Sequence, residues 1–340
     1  MIGHRWAADL LRGAIGNERV GHAYLFTGPE GIGKTTIARL FAQALNCEAA
    51  DPGQRPCGEC RPCRLIAADH HPDVRVVEAE VSSRGQRSLK IDQVRELQQG
   101  LSLASYEARW KVALVPHFEA ASQGAANAFL KTLEEPPARV VLLLTAPEGD
   151  SLLPTITSRC RIVGLRPLPA TEIAAALRER WQVSPDKAQL LSHLADGRMG
   201  WAIKALQEPE RLEARGEQLE QLYTALRGNR VERFSLADRL AKKPDALPPV
   251  LQTWLSWWRD AALLLWGAGN GHAEQGISNI DQEEQLRRLV THWQKETVLQ
   301  ALKQTRRALW QLERNANTRL VVENLFLNYP YGEGIREIGD

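Results

Sequence analysis

Gly28-Pro29-Glu30-Gly31-Ile32-Gly33-Lys34-Thr35 fits the pattern G-x-x-x-x-G-K-[ST]. Its flanks decide how it folds. Ala23, Tyr24, Leu25 and Phe26 form a short apolar run directly before it, and a helical pattern over 34–45 follows. A glycine-rich turn between a strand and a helix is the setting in which this pattern cradles phosphate. Gly28, Gly31 and Gly33 let backbone N–H groups turn inward, Lys34 reaches the outer phosphates, and the Thr35 hydroxyl is placed to hold Mg²⁺. Thr36, on the first turn of the helix, completes the expected nucleotide-binding set.

Outward from this loop, apolar runs recur at 74–77, 112–115, 140–144 and 161–165. Helical patterns fall between them at 91–103 and 121–134. In the second, Ala126, Phe129, Leu130 and Leu133 recur at helical spacing until Pro136 and Pro137 stop it. Strands alternating with helices predict a parallel sheet covered on both faces, an α/β nucleotide-binding core over 1–167. Beyond Pro167 and Pro169 the strand signal ends. Three short helices are expected within 168–208, and a helical bundle over 209–330. That bundle holds six of the chain's ten tryptophans, Trp254, Trp257, Trp258, Trp266, Trp293 and Trp310, all read as core. The glycine-rich tail over 331–340 is expected to fray and be flexible.

The chain has 340 residues, and its net charge of +2 balances 43 basic against 41 acidic side chains. Nucleic-acid contact therefore has to come from a local patch or from partners. A candidate is the polar, basic loop over 82–90, with Arg84, Arg87 and Lys90. The first twenty residues lack the layout of a secretory signal, and no apolar run approaches membrane-spanning length, so a cytoplasmic location is expected.

Hydrolysis needs more than a cradle. A carboxylate at the end of a neighbouring strand usually helps to hold Mg²⁺, and a second acid activates water. The strand at 112–115 runs instead into Pro116 and His117, and Mg²⁺ strongly prefers oxygen ligands. Glu119 is displaced and expected to point away. Bound ATP/Mg²⁺ is thus expected to be weak or relict, with little or no ATPase in the isolated chain.

Four of the five cysteines are crowded together: Cys47, Cys57, Cys60 and Cys63. Two C-x₂-C steps sharing Cys60, with a fourth cysteine nearby, suit one tetrahedral Zn²⁺ in a module over 47–63. Four thiolates close the coordination shell, so the metal is structural. Free buried thiols are the plain alternative.

Taken together, these motifs resemble the bacterial clamp-loader family of DNA polymerase III, a branch of the AAA+ ATPases. The resemblance rests on the segment 22–34 with its phosphate loop, the inserted cysteine module, the segment 125–136 ending in Glu134-Glu135-Pro136, and Ser158-Arg159-Cys160. It implies an AAA+ P-loop core with a zinc-binding insertion, a small helical lid domain at 168–208 and an all-α collar over 209–330. In the family, the arginine of the Ser-Arg-Cys motif projects into the ATP site of the next subunit around a ring, which makes Arg159 a catalytic residue in trans. The gamma/tau motor subunits carry an Asp-Glu pair where this chain has Pro116 and His117. They also carry a small-domain arginine where this chain has Gly200; Arg198, two positions off, is expected to face elsewhere. Both departures point to a stationary subunit working with gamma/tau and delta subunits, the sliding clamp and primed DNA. An active motor subunit of the same ring is the main alternative. A small-molecule P-loop kinase would have no obvious use for a zinc module and a tryptophan-rich helical third, and the near-neutral charge argues against a zinc-dependent DNA-binding module.

Overall fold

The computed structural model describes residues 2–81, 87–267, 276–314 and 316–330. The tail expected at 331–340, and the part of the basic loop over 82–86, lie outside the described residues. The chain forms two compact units. One comprises the residues up to Ile173 together with Gly197–Trp201; the other takes 174–196 and the residues from 202 onward.

The first unit opens with α1 (Arg5–Gly16), β1 (Ala23–Thr27) and α2 (Lys34–Asn46). After the cysteine loop come α3 (Arg61–Ala67), β2 (Val74–Val76), a small antiparallel pair β3 (Glu80–Val81) and β4 (Arg87–Ser88), and α4 (Ile91–Ser102). The sheet continues with β5 (Lys111–Val115), α5 (Gln123–Glu134), β6 (Val140–Ala146), the single turn α6 (Pro154–Thr157) and β7 (Arg161–Gly164). Five strands pair in the order β2-β5-β6-β1-β7, all parallel. Every residue of β1, β5 and β6 is buried, as the unbroken apolar runs predict for a doubly covered sheet. Alternation splits them between two cores. Tyr24, Phe26, Val141 and Leu143 pack with Ile37, Phe41 and Leu45 of α2 on one face. Leu25, Leu142 and Leu144 pack with Leu97 of α4 and Phe129 and Leu133 of α5 on the other.

The turn between α4 and β5 is fixed by one carboxylate. Buried Asp73 accepts from the N–H groups of Tyr106 (2.9 Å), Glu107 (2.8 Å) and Ala108 (2.9 Å), and from the Ser105 hydroxyl (3.3 Å). Burial acts to raise its pKa, but these bonds outweigh it and hold the carboxyl below the usual aspartate value.

After β7 the chain is helical: α7 (Ala170–Trp181), α8 (Pro185–Leu194), α9 (Met199–Gln207), α10 (Glu210–Arg227), α11 (Arg230–Ala241), α12 (Leu247–Gly267), α13 (Glu283–Val290), α14 (Lys295–Glu313) and α15 (Thr318–Leu327). Trp254, Trp257 and Trp258 on α12 are wholly buried, with Phe326 and Tyr329 against them, and Trp293 packs at the margin. Two of the six tryptophans break the expectation. Trp266 is 47% exposed and Trp310 54% exposed. Both sit on helix faces turned to solvent, where helical spacing alone does not distinguish in from out. Among the described residues, no helix is long and apolar enough to cross a membrane.

Candidate nucleotide site, metal centre and surface arginine

β1 delivers the chain into the phosphate loop, and α2 carries it away. Gly28, Gly31 and Gly33 have φ of 140°, 80° and 112°, values that glycine adopts without a Cβ penalty. These backbone turns leave the first N–H groups of α2, those of Lys34, Thr35 and Thr36, at the positive end of the helix, where an anion is favoured. The loop's carbonyls are already engaged. Lys34 Nζ donates to Gly28 O (2.6 Å) and Pro29 O (3.0 Å), and His4 Nε2 lies 3.2 Å from Ile32 O. The Gly200 N–H donates to Gly31 O at 2.7 Å. Burial pulls the Lys34 ammonium below its ordinary pKa, with Glu119 and Glu30 acting against that shift.

The Gly200 contact bears on the lost motor arginine. A Cβ at position 200 would stand 2.7 Å from Gly31 O, a distance side-chain carbons do not tolerate. The segment 197–201 therefore lies with its backbone against the phosphate loop. Arg198 begins beside the phosphate loop. It precedes the first residue of α9, so helical geometry does not apply to it, and its Cβ would be 3.7 Å from a Cβ placed on Gly31. Its guanidinium stands 5.9 Å from the centroid of the Trp201 ring.

β5 ends at Val115, and Pro116 and His117 follow without a carboxylate. His117 takes a left-handed backbone conformation (φ 53°), donates its N–H to Thr145 Oγ1 (3.1 Å) and holds Glu119 Oε1 3.2 Å from Nδ1. Glu119 does not point away. It is close enough to raise the Lys34 pKa, and its Oε2 is buried with no hydrogen-bond partner among the described residues. It lies in a short 3-10 turn from Phe118 to Ala120 that the sequence reading did not include. From the basic loop, Arg87 lies 2.9 Å from His117 Nε2 and 3.9 Å from Glu30, and Lys90 pairs with Glu80 at 2.5 Å.

The cysteine loop converges. The sulfurs of Cys47, Cys57, Cys60 and Cys63 lie within 4.8 Å of one another, and Cys47 and Cys60 are 4.0 Å apart. Tetrahedral Zn–S bonds of about 2.3 Å put sulfurs roughly 3.8 Å apart, so the four fit one zinc with a small inward adjustment. Backbone N–H groups already point at two of the sulfurs: Cys57 N at Cys47 Sγ (3.4 Å) and Cys60 N at Cys57 Sγ (3.3 Å). Such bonds favour thiolate, and those from Cys60 and Glu59 lower the Cys57 pKa. Gly58, at φ 79°, supplies the turn between the second and third ligands. The donor set and its spacing suit a structural metal.

Arg159 stands at the opposite end of the sheet's loops, just past α6. Pro154 opens that turn, and buried Ile156 anchors it on the α5 side of the sheet. The Arg159 guanidinium donates to Thr155 O (2.9 Å) and pairs with Glu134 at the end of α5 (2.9 Å), leaving the side chain 36% exposed. These two contacts hold it at the surface. Its neighbour Cys160 is half-buried, and that burial pushes the thiol up to about 12.

Residues 3–169 match the sequence profile of the family described as DNA polymerase III, delta subunit, and 209–329 that of its C-terminal part. The delta' subunit of DNA polymerase III from Pseudomonas aeruginosa is 33% identical over 298 residues, covering 84% of this chain and 83% of that one. The tau subunit from Bacillus subtilis is 32% identical over 213 residues, covering 61% of this chain but only 37% of its own length. The solved gamma-subunit-related protein of Thermotoga maritima aligns over 97% of this chain and 98% of its own, at 18% identity and a TM-score of 0.46. A delta' relative matched along most of both lengths places the chain in the delta'/tau-type clamp-loader subunit family of DNA polymerase III.

Proposed function

We propose that this chain is a stationary clamp-loader subunit, one that lends Arg159 to the ATP site of a neighbouring subunit and hydrolyses little or no ATP itself. One observation carries the reading: a well-formed phosphate loop beside a strand whose next residues, Pro116 and His117, offer no carboxylate for Mg²⁺. The Gly200 backbone seated on Gly31 supports it, because no side chain fits at position 200, where a motor of the family carries its arginine. In this reading residues 168–208 serve as a lid, 209–330 as a collar, and gamma/tau and delta subunits flank the chain. Together they place the sliding clamp on primed DNA. The cysteine module holds zinc, and the phosphate loop binds ATP weakly if at all.

A guanidinium fixed by Glu134 and Thr155 yet a third exposed suits presentation across a subunit boundary. There it would stabilise charge developing on a γ-phosphate. In a reconstituted loader, Arg159→Ala is expected to leave assembly intact and to lower DNA-stimulated ATP turnover at one site by about 10³-fold. Unchanged turnover would remove the assignment. One observation favours the motor alternative: Glu119 lies near Lys34. If Glu119 replaced the missing acids, the isolated chain would turn over ATP and Glu119→Gln would stop it.

A further inference from the structure

We infer that the solvent face of α14 is a binding surface for single-stranded DNA. Leu299, Lys303, Arg306, Arg307, Trp310 and Arg314 are all exposed. At 3.6 residues per turn they fall within roughly 100° of the helix circumference. The cations from Lys303 to Arg314 run along about 16 Å of axis at 1.5 Å per residue. Among the described residues, Lys303, Arg306 and Arg307 have no carboxylate partner. The arginines of the neighbouring helices differ: Arg287, Arg288 and Arg319 are matched to Glu283, Glu284 and Glu323 at 2.7, 2.5 and 2.7 Å. Unpaired cations in a row suit a ladder of phosphates.

The aromatic within this row decides the form of nucleic acid. Trp310 is 54% exposed, and the Arg314 guanidinium lies 3.9 Å from its ring centroid. One face of the indole is thus backed by a cation while much of the ring stays open. At the start of the helix, Lys295 stands 5.6 Å from the centroid of half-exposed Trp266. A large aromatic left in water among cations offers a stacking platform for an unpaired base, which duplex DNA cannot present. The surface belongs to the helical unit and does not depend on the roles proposed for the phosphate loop or Arg159.

The test is fluorescence anisotropy of a labelled oligothymidylate of about 20 nucleotides, titrated with the full chain between about 50 and 200 mM salt. Four cation contacts predict a log–log salt slope of about −3. Lys303→Glu combined with Arg307→Glu should weaken binding more than tenfold and roughly halve that slope. The neutral pair Lys303→Gln and Arg307→Gln should act in the same direction. Trp310→Ala should cost about 5- to 100-fold in affinity, and Arg178→Glu on α7 should change nothing. The proposal is overturned by absent binding at the lowest salt, by charge reversals on α14 that act no differently from Arg178→Glu, or by tighter binding of duplex that ignores Trp310→Ala. Displacement of the oligonucleotide by polyglutamate at equal charge concentration would also overturn it, by assigning the face to an acidic protein.

Discussion

At position 200, where a motor subunit of the family carries an arginine, even the first side-chain carbon has no room. Because the Gly31 oxygen sits 2.7 Å from where that carbon would be, Gly200→Arg forces two backbone segments apart. It should destabilise the chain by about 2–3 kcal/mol, as overpacking of a close contact does, read as a lower urea midpoint; an unshifted midpoint would show that the contact yields freely. In the sequence this position is visible only as an arginine that is missing. That its backbone reaches the phosphate loop follows from tertiary structure, which no local pattern encodes. Glu119 teaches the same lesson, since the short 3-10 turn that carries it leaves no signal in the sequence. Asp73 gives a prediction of a different kind. Its folded pKa lies below the unfolded one, so its contribution is complete above the unfolded value of about 3.9 and fades as pH falls through the depressed value. Asp73→Asn should therefore lose about 2 kcal/mol at neutral pH. Its stability should also vary less with pH between about 5 and 2 than that of the parent chain.

The long elements were legible because burial on two faces leaves an unmistakable apolar run, as in β1, β5 and β6. The short ones were not. α3 has seven residues and α6 four, both below the length at which a helix is stable alone, so neither leaves a periodic signal. What holds α3 is its docking on α2 and, in our account, the metal. Cys60 stands just before its first residue and Cys63 lies within it. The purified chain should carry one zinc, and stripping it with a chelator should release the 47–63 loop and lower the melting temperature by several degrees or more. Metal content well below one per chain, with a melting temperature indifferent to chelation, would assign the cysteines as free thiols. The bundle helices were legible as helices, but not in orientation. Aromatic residues at helical spacing predicted a core for Trp257 and for Trp310 alike, and only the first is buried.

At the scale of the whole molecule, the chain combines a phosphate loop that lacks a carboxylate on the next strand's exit with a partly exposed arginine. Lys34 and the loop glycines can grip an anion, β5 runs into Pro116 and His117 without a carboxylate, and Arg159 stays about a third exposed just past α6. Each feature alone has an ordinary explanation; together they support the proposal that the chain takes part in another subunit's reaction. The most direct test is steady-state ATP turnover, measured for the purified chain alone and for the reconstituted loader with and without Arg159→Ala. Our account predicts negligible turnover by the chain alone, indifferent to Lys34→Ala, and a large loss in the loader when Arg159 is removed. Brisk turnover by the isolated chain that disappears with Lys34→Ala, together with a loader unaffected by Arg159→Ala, would contradict it.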